Sequence, residues 1–200
     1  ISMFKVRAGW GIVGNDRISN YLSMDLYSLN KYGLGNQQHI VLTPKQIANY
    51  DLRWEGSTTT NIGLDLGFFD SRLNITADAF VKDTKDLLIA QNLAYVTAFG
   101  SQWQNVGKIR NSGVELSVNS VNFNRRNFFW STDFNLSFVK NKLVSLRDGT
   151  QYMQSRTGFN SNFTNPDYIS YVGSSLGDMY GYIYDGVYQS SDFERTPDGI

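Results

Sequence analysis

The sequence predicts an all-β fold in which long antiparallel strands form part of a large transmembrane β-barrel. Three features predict it: strict alternation of apolar and polar residues, the absence of charge from the apolar positions, and connections that are alternately short and long. A period of two residues is typical of strands whose two faces meet different surroundings.

Five segments of the chain alternate in this way and are predicted to be strands. They are residues 2–13, 59–69, 72–83, 112–121 and 128–139. Asp70-Ser71, between the second and third, is typical turn chemistry, so these two segments form a β-hairpin.

The two faces of the predicted strands differ in charge. The apolar faces carry no charged side chain and consist of Phe4, Val6, Ala8, Trp10, Ile12, Ile62, Leu64, Leu66, Phe68, Leu73, Ile75, Ala77, Ala79, Val81, Val114, Leu116, Val118, Trp130, Thr132, Phe134, Leu136 and Phe138. The opposite faces carry Lys5, Arg7, Asp65, Asp78, Lys82, Glu115 and Asp133. Lipid would exclude charge in this way, because a charge on the lipid face costs about 2–4 kcal/mol at mid-bilayer. A soluble β-sandwich core would exclude it almost as strongly.

The connections favour the membrane. Long segments at 14–58, 84–111 and from 140 alternate with short turns at Asp70-Ser71 and 122–127. Outer-membrane barrels have short periplasmic turns and long extracellular loops. Aromatic residues flank both short turns, as in an interfacial girdle, and the runs approach the length that spans a bilayer. We therefore expect the apolar face to contact lipid and the polar face to line a lumen, with further strands outside this chain.

Composition argues against several other functions. Eighteen basic residues balance 18 acidic ones, so no basic face for nucleic acid is expected. There is no cysteine and His39 is the single histidine, so this chain lacks the parts of a catalytic triad, a thiolate metal site or a histidine-pair metal site. Asp65, Asp78, Glu115 and Asp133 could supply a pair of glycosidase carboxylates, but a water-filled lumen needs charged walls in any case. We predict no enzyme activity, no cofactor and no metal.

Five blocks of sequence, in order, resemble one family. They are KVRAGWGIVGND (Lys5 to Asp16), ANYDLRWEGSTTTNIGLDLGFFDSRLNITADAFVKDTKDLL (Ala48 to Leu88), NVGKIRNSGVELSV (Asn105 to Val118), FWSTDFNLSFVKNKLVSL (Phe129 to Leu146) and YGYIYDGVYQSSDF (Tyr180 to Phe193). Together they are similar to the SusC/RagA family of TonB-dependent outer-membrane transporters of Bacteroidetes.

The resemblance implies a barrel of roughly 22 strands with a plug domain. Residues 1–200 would be a late part of that barrel, with the plug and the remaining strands absent. The family would place the protein in the bacterial outer membrane as a multi-pass barrel in contact with lipid. It also implies active uptake of a bulky nutrient, an oligosaccharide or in some cases a peptide, energised through TonB and assisted by a SusD-like surface lipoprotein.

Two groups of residues are candidates for binding. The lumen-facing group is Lys5, Arg7, Asp65, Asp78, Lys82, Glu115 and Asp133. The loop group is Tyr180, Tyr182, Tyr184 and Tyr188, since tyrosine offers a flat apolar ring and a hydroxyl to a glycan or a partner protein. The alternative for the tyrosines is an alternating edge hairpin packed within its own loop.

Two other functions fit parts of the pattern. A passive outer-membrane porin or surface adhesin would have the same strands, and a plug with a TonB box would exclude it. A soluble carbohydrate-binding β-sandwich would have the same alternation, with its apolar faces against each other.

Overall fold

The chain is almost entirely β-structure in the computed structural model, which describes residues 1–15, 18–158, 165–189 and 192. The strands in these ranges are β1 (Met3–Asn15), β2 (Leu26–Leu34), β3 (Gln37–Gln46), β4 (Glu55–Phe68), β5 (Leu73–Lys85), β6 (Leu88–Asn92), β7 (Ser101–Asn105), β8 (Gly107–Arg125), β9 (Phe128–Leu146), β10 (Tyr152–Ser155), β11 (Tyr168–Tyr171) and β12 (Asp178–Met179). Among the described residues, no helix is long and apolar enough to span a membrane.

The five predicted strands form the main sheet, in the order β1-β4-β5-β8-β9. All neighbours in it are antiparallel. The predicted centres are confirmed, but β8 and β9 reach 19 residues each and extend well beyond the predicted ends. Within the described residues, β1 and β9 are the edge strands of this open sheet.

The short and long connections lie at opposite ends of the main sheet. At one end, residues 69–72 join β4 to β5 and Arg126-Asn127 join β8 to β9. At the other end, the long connections contain structure that alternation did not predict: the β2–β3 hairpin, the β6–β7 hairpin and the small sheet β10-β11-β12. His39, the single histidine of the chain, lies on β3 with an exposed side chain.

The turn between β4 and β5 is longer than the predicted two residues. Phe69, Asp70 and Ser71 all have positive φ, between 55° and 63°. Arg72 N donates to Phe69 O at 3.1 Å, and the Asn74 side-chain amide donates to Ser71 O at 2.8 Å. These bonds hold a left-handed backbone that side chains other than glycine seldom adopt.

The register joins the apolar faces into one continuous surface. A central row runs from Val6 through Leu64, Ala77 and Leu116 to Leu136. Many side chains of this surface are exposed; Val6 is 58% exposed and Leu136 is 40% exposed. Larger side chains on the same surface, Trp10, Phe134 and Phe138, are exposed as well, so the surface is open among the described residues.

The apolar surface forms a slanted band. Ile12 is the last apolar residue of this face on β1, whereas on β9 it is Phe138, which pairs through the register with Ala8, four residues earlier than Ile12. We call the end of the sheet with the short turns the lower end. At the lower edge of the band, Trp130 lies four residues below Phe134, which is in the register row of Phe4. Four residues of rise are about 13 Å and four strand spacings about 19 Å, which gives a slope of about 35°. Strands tilted by about 35–45° in a membrane slant a band of constant depth in this way.

Buried apolar side chains lie away from this band. Within the described part of the chain they are Val106, Leu143 and Ile169, at the end of the sheet with the long connections. Backbone bonds fasten the last connection to β9 there, from Gly173 N to Leu143 O at 2.7 Å and from Leu143 N to Ser174 O at 2.9 Å. The loop end therefore has a small core of its own.

Leu116 and Ser117 are adjacent on β8 and project from opposite faces at mid-band, so they offer a matched test. Leu116→Arg is expected to lower the free energy of unfolding of the intact protein in bilayers by about 2–4 kcal/mol, because its charge enters lipid. Ser117→Arg is expected to lower it by less than about 1 kcal/mol, because this residue faces water. Urea titration of both variants measures the difference, and equal losses would contradict the assignment of the faces.

Candidate functional site

An ion network lies at the centre of the polar face. The Arg7 guanidinium donates to Asp65 Oδ2 at 2.9 Å and to Asp65 Oδ1 at 3.0 Å. The same guanidinium donates to the Asp78 carboxylate at 3.0 Å. Three strands are thereby joined across the sheet, and three of the predicted lumen-facing residues are brought together.

Gly63 on β4 makes room for this network. In the register it lies between Arg7 and Asp78. A Cβ atom at this position would lie 2.7 Å from Arg7 Nη2 and would also collide with the Asp78 carboxylate. The space that a side chain would occupy at Gly63 is thus filled by side chains of the two neighbouring strands.

The other predicted wall residues are placed less closely. Lys5 is opposite Asp65, and Glu115 is opposite Asp78, so both border the network. Lys82 lies four residues beyond Asp78 on β5, a distance of about 13 Å. Asp133 is on β9, where it accepts a hydrogen bond from Asn119. The wall thus has one compact cluster and two separate charges.

Phe80 is a feature of the polar face that sequence reasoning missed. It lies between Asn61 and Gly113 in the register, and a Cβ added to Gly113 would be 3.0 Å from its ring. An aromatic ring over a glycine of the next strand compensates for the missing side chain. The sequence signal that could have revealed Phe80 is a single aromatic residue at a position whose neighbours on the same face are polar.

The tyrosine group divides into two pairs. Tyr180 and Tyr182 line a cavity of about 290 Å³, together with Gln154, Asn165 and Asp167. Tyr184 and Tyr188 do not line it; exposure does not separate the pairs, since Tyr182 is 90% exposed and Tyr184 and Tyr188 are 80% and 84% exposed. In the described range 165–189, the chain after β12 forms no strand, so the alternative of an edge hairpin is not observed there.

Asp167 is held in place at the cavity. Its carboxylate accepts hydrogen bonds from the Thr157 hydroxyl and, at 2.9 Å, from the Thr157 backbone N–H. The hydroxyl and then the backbone bond lower the pKa of Asp167 below its ordinary value. The cavity therefore presents a fixed carboxylate beside two aromatic rings and two amides.

Asparagine side chains fasten the long connections to one another. Asn105 Oδ1 accepts from Arg53 N at 2.9 Å, and its Nδ2 donates at 2.8 Å to the backbone oxygens of Arg53 and Asp86. Asn49 Nδ2 donates to Trp103 O at 2.8 Å. Amides supply both a donor and an acceptor, so they can join irregular backbone segments.

The two central carboxylates of the polar face share one arginine. Asp65 and Asp78 both accept from one guanidinium, which suits an ion network better than a pair of acid and base catalysts. Among the described residues, no three His, Asp or Glu side chains are grouped to hold a metal ion.

Gly63→Ala tests the wall network. It is expected to lower the free energy of unfolding by about 1–3 kcal/mol, because the new methyl group displaces the Arg7 guanidinium. Gly11→Ala on β1 is the matched control and should change stability little, since nothing lies within 4 Å of a Cβ there. Denaturant titration of both variants provides the comparison. The cost at Gly63 should shrink in an Arg7→Ala background; an unchanged cost would show that Arg7 is not the cause.

Comparison with known proteins agrees with this geometry. The model of the family described as TonB dependent receptor-like, beta-barrel matches residues 11–198. TonB-dependent receptor P3 of Formosa agariphila is 40% identical over 197 residues, which cover 96% of this chain and 19% of the relative. TonB-dependent receptor SusC of Bacteroides thetaiotaomicron is 33% identical over 155 residues, 74% of this chain and 15% of the relative.

Solved structures give the same result. A chain of the RagAB peptide transporter superposes with a TM-score of 0.75 and 27% identity, over 86% of this chain and 18% of that one. The same importer in its open-open state gives a TM-score of 0.72. This chain spans about a fifth or less of the length of each of these proteins. It belongs to the TonB-dependent receptor β-barrel family and is of the SusC/RagA type.

Proposed function

We propose that this chain is part of the wall of an outer-membrane transporter that actively imports a bulky nutrient, an oligosaccharide, without altering it chemically. The observation that carries the proposal is the contrast between the two faces of one sheet. A charge-free band lies on one side, and the Arg7 ion network lies directly behind it on the other. Such a wall separates lipid from a water-filled passage.

Energy coupling and partners are inferred from similarity. The family model and the relatives are named for TonB dependence, which supports energy supply through TonB by parts of the protein outside this chain. The SusC/RagA type supports a SusD-like lipoprotein as the surface partner. The pair outside the cavity, Tyr184 and Tyr188, is the proposed contact for that lipoprotein.

The proposed glycan contact is the cavity at Tyr180 and Tyr182. Flat aromatic rings stack on the apolar faces of sugars, while amides and a carboxylate satisfy their hydroxyl groups. Gln154, Asn165 and Asp167 supply those polar groups. The lumen-facing charges Lys5, Arg7, Asp65, Asp78, Lys82, Glu115 and Asp133 are proposed to guide the ligand inside.

A peptide is the second candidate ligand. It is favoured by the similarity to RagAB, which is named a peptide transporter. The charged residues of the wall could contact the charged termini and side chains of a peptide.

Uptake by cells that carry the intact protein tests the function. We expect fluorescent oligosaccharides to accumulate and a protonophore to stop their accumulation, because TonB-coupled import needs energy. Labelled peptides of matched size form the second arm. Uptake of both ligands that continues with the protonophore would indicate a passive porin, and surface binding without uptake would indicate an adhesin.

Two double variants separate the roles of the tyrosines. Tyr180→Ala with Tyr182→Ala should weaken oligosaccharide binding by about tenfold, because two stacking surfaces are lost. Tyr184→Ala with Tyr188→Ala should leave ligand affinity unchanged and reduce co-purification of the lipoprotein. Calorimetry and pull-down provide the readouts. If neither double variant changes ligand or partner binding, the tyrosines have no role in either contact.

A further inference from the structure

The face of the main sheet that carries the apolar band, here called the outer face, also carries a basic patch. The patch lies directly above the band, toward the long connections. The patch consists of Lys85 on β5, Lys108 and Arg110 on β8, and Lys140 and Lys142 on β9, with one acidic residue, Asp83. On β9, Lys140 and Lys142 continue the even-numbered series that ends at Phe138. Successive side chains alternate between faces, so these residues point in the same direction as the band.

The register places the members of this outer basic patch side by side. Arg110 is the partner of both Asp83 and Lys142, and Lys108 is the partner of Lys85. Lys108 remains on the outer face despite the bulge between β8 and β9. Its ammonium group shows this, since it lies 2.9 Å from Asp83 Oδ2. The patch therefore follows the slanted upper edge of the band across three neighbouring strands.

The patch has more positive charge than its acidic residue can balance. Asp83 is already shared, since Arg110 donates to its two oxygens at 2.6 and 2.8 Å and Lys108 also contacts it. Lys85, Lys140 and Lys142 are exposed, and among the described residues no carboxylate pairs with them. On the polar face, by contrast, the central arginine has two carboxylates to itself.

We propose that the outer basic patch binds the phosphate group of an anionic lipid in the outer leaflet of the membrane. Closely spaced ammonium groups repel one another, and a phosphate with several acceptor oxygens can bridge them. Juxtamembrane clusters of lysine and arginine attract anionic lipids for the same reason. This inference concerns the outside of the wall and goes beyond the transport function.

The location of the patch selects a lipid over a soluble anion or the imported nutrient. The patch points away from the lumen, so neither a plug nor a ligand in the passage reaches it. Immediately below it lies the apolar band, with Phe138 next to Lys140 along β9. An occupant with acyl chains against the band and an anionic group above it matches both surfaces at once.

Lipid-selective fluorescence quenching tests the proposal in the intact protein, reconstituted in phosphatidylcholine bilayers. Ser112 lies on the outer face in the register row of Lys140, so a bimane on Ser112→Cys reports on this location; this chain has no other cysteine. We expect phosphatidic acid with brominated chains to bind at least tenfold more tightly than brominated phosphatidylcholine. This preference should fall as salt is raised.

Two matched pairs of substitutions identify the residues responsible. Lys140→Gln with Lys142→Gln should remove most of the preference for phosphatidic acid, because each charge removed is expected to weaken the binding of an anionic lipid by about fivefold. Lys5→Gln with Lys82→Gln removes the same charge from the polar face and should leave the preference unchanged. Lys140→Arg with Lys142→Arg should retain it.

Three results would overturn the proposal. The first is a parent protein that shows no preference for phosphatidic acid. The second is a preference that does not respond to salt, a measurement that needs no further variant to fold. The third is an equal loss of preference in the polar-face control.

Discussion

The exclusion of charge from the apolar band on one face of the main sheet is the constraint on which the rest of the structure depends. Because side chains alternate strictly along a strand, a band reserved for hydrocarbon sends every charged group at its depth to the other face. The same constraint fixes the register between strands, since a slip of one residue would exchange the two faces of a whole strand. The slanted band, the aromatic lower edge and the outer basic patch are all set relative to this charge-free surface.

The polar face meets the opposite requirement, because charges must remain on it without distorting the sheet. Arg7 bridges two carboxylates from neighbouring strands, and Gly63 supplies the space in which the guanidinium lies. The central charges of this face are therefore mutually satisfied. The loop end differs, because Tyr180, Tyr182 and Asp167 line an open cavity there, and this is the cavity that we propose as the ligand contact.

The five central strands could be predicted because their alternation persists over ten or so residues, which few other structures produce. The hairpins in the long connections could not, since sequences such as β2 mix apolar and polar residues on both faces. The upper ends of β8 and β9 were missed because charged residues such as Arg110, Lys140 and Lys142 replace apolar ones at the outward positions there, so the apolar alternation stops. The turn at 69–72 was read as Asp70-Ser71 alone, although the left-handed backbone begins at Phe69.

The candidate site also has a part that the sequence could predict and a part that it could not. The identity of the charged wall residues followed from alternation, but the contact between Arg7 and Asp78 depends on a register across three strands and on a glycine between them. No local pattern reveals that arrangement. Phe80 was missed because a lone aromatic on a polar face breaks the pattern that identified the strand.

The most direct test of the central claim is a spin-label scan along β4 in the intact protein in bilayers, with single cysteines at successive positions from 60 to 68. Accessibility to oxygen, which concentrates in lipid, and to a water-soluble nickel chelate should alternate with a period of two and opposite phase, with oxygen highest at Ile62, Leu64 and Leu66. Accessibility to the nickel chelate at those three positions as high as at their neighbours would contradict the claim that this face contacts lipid.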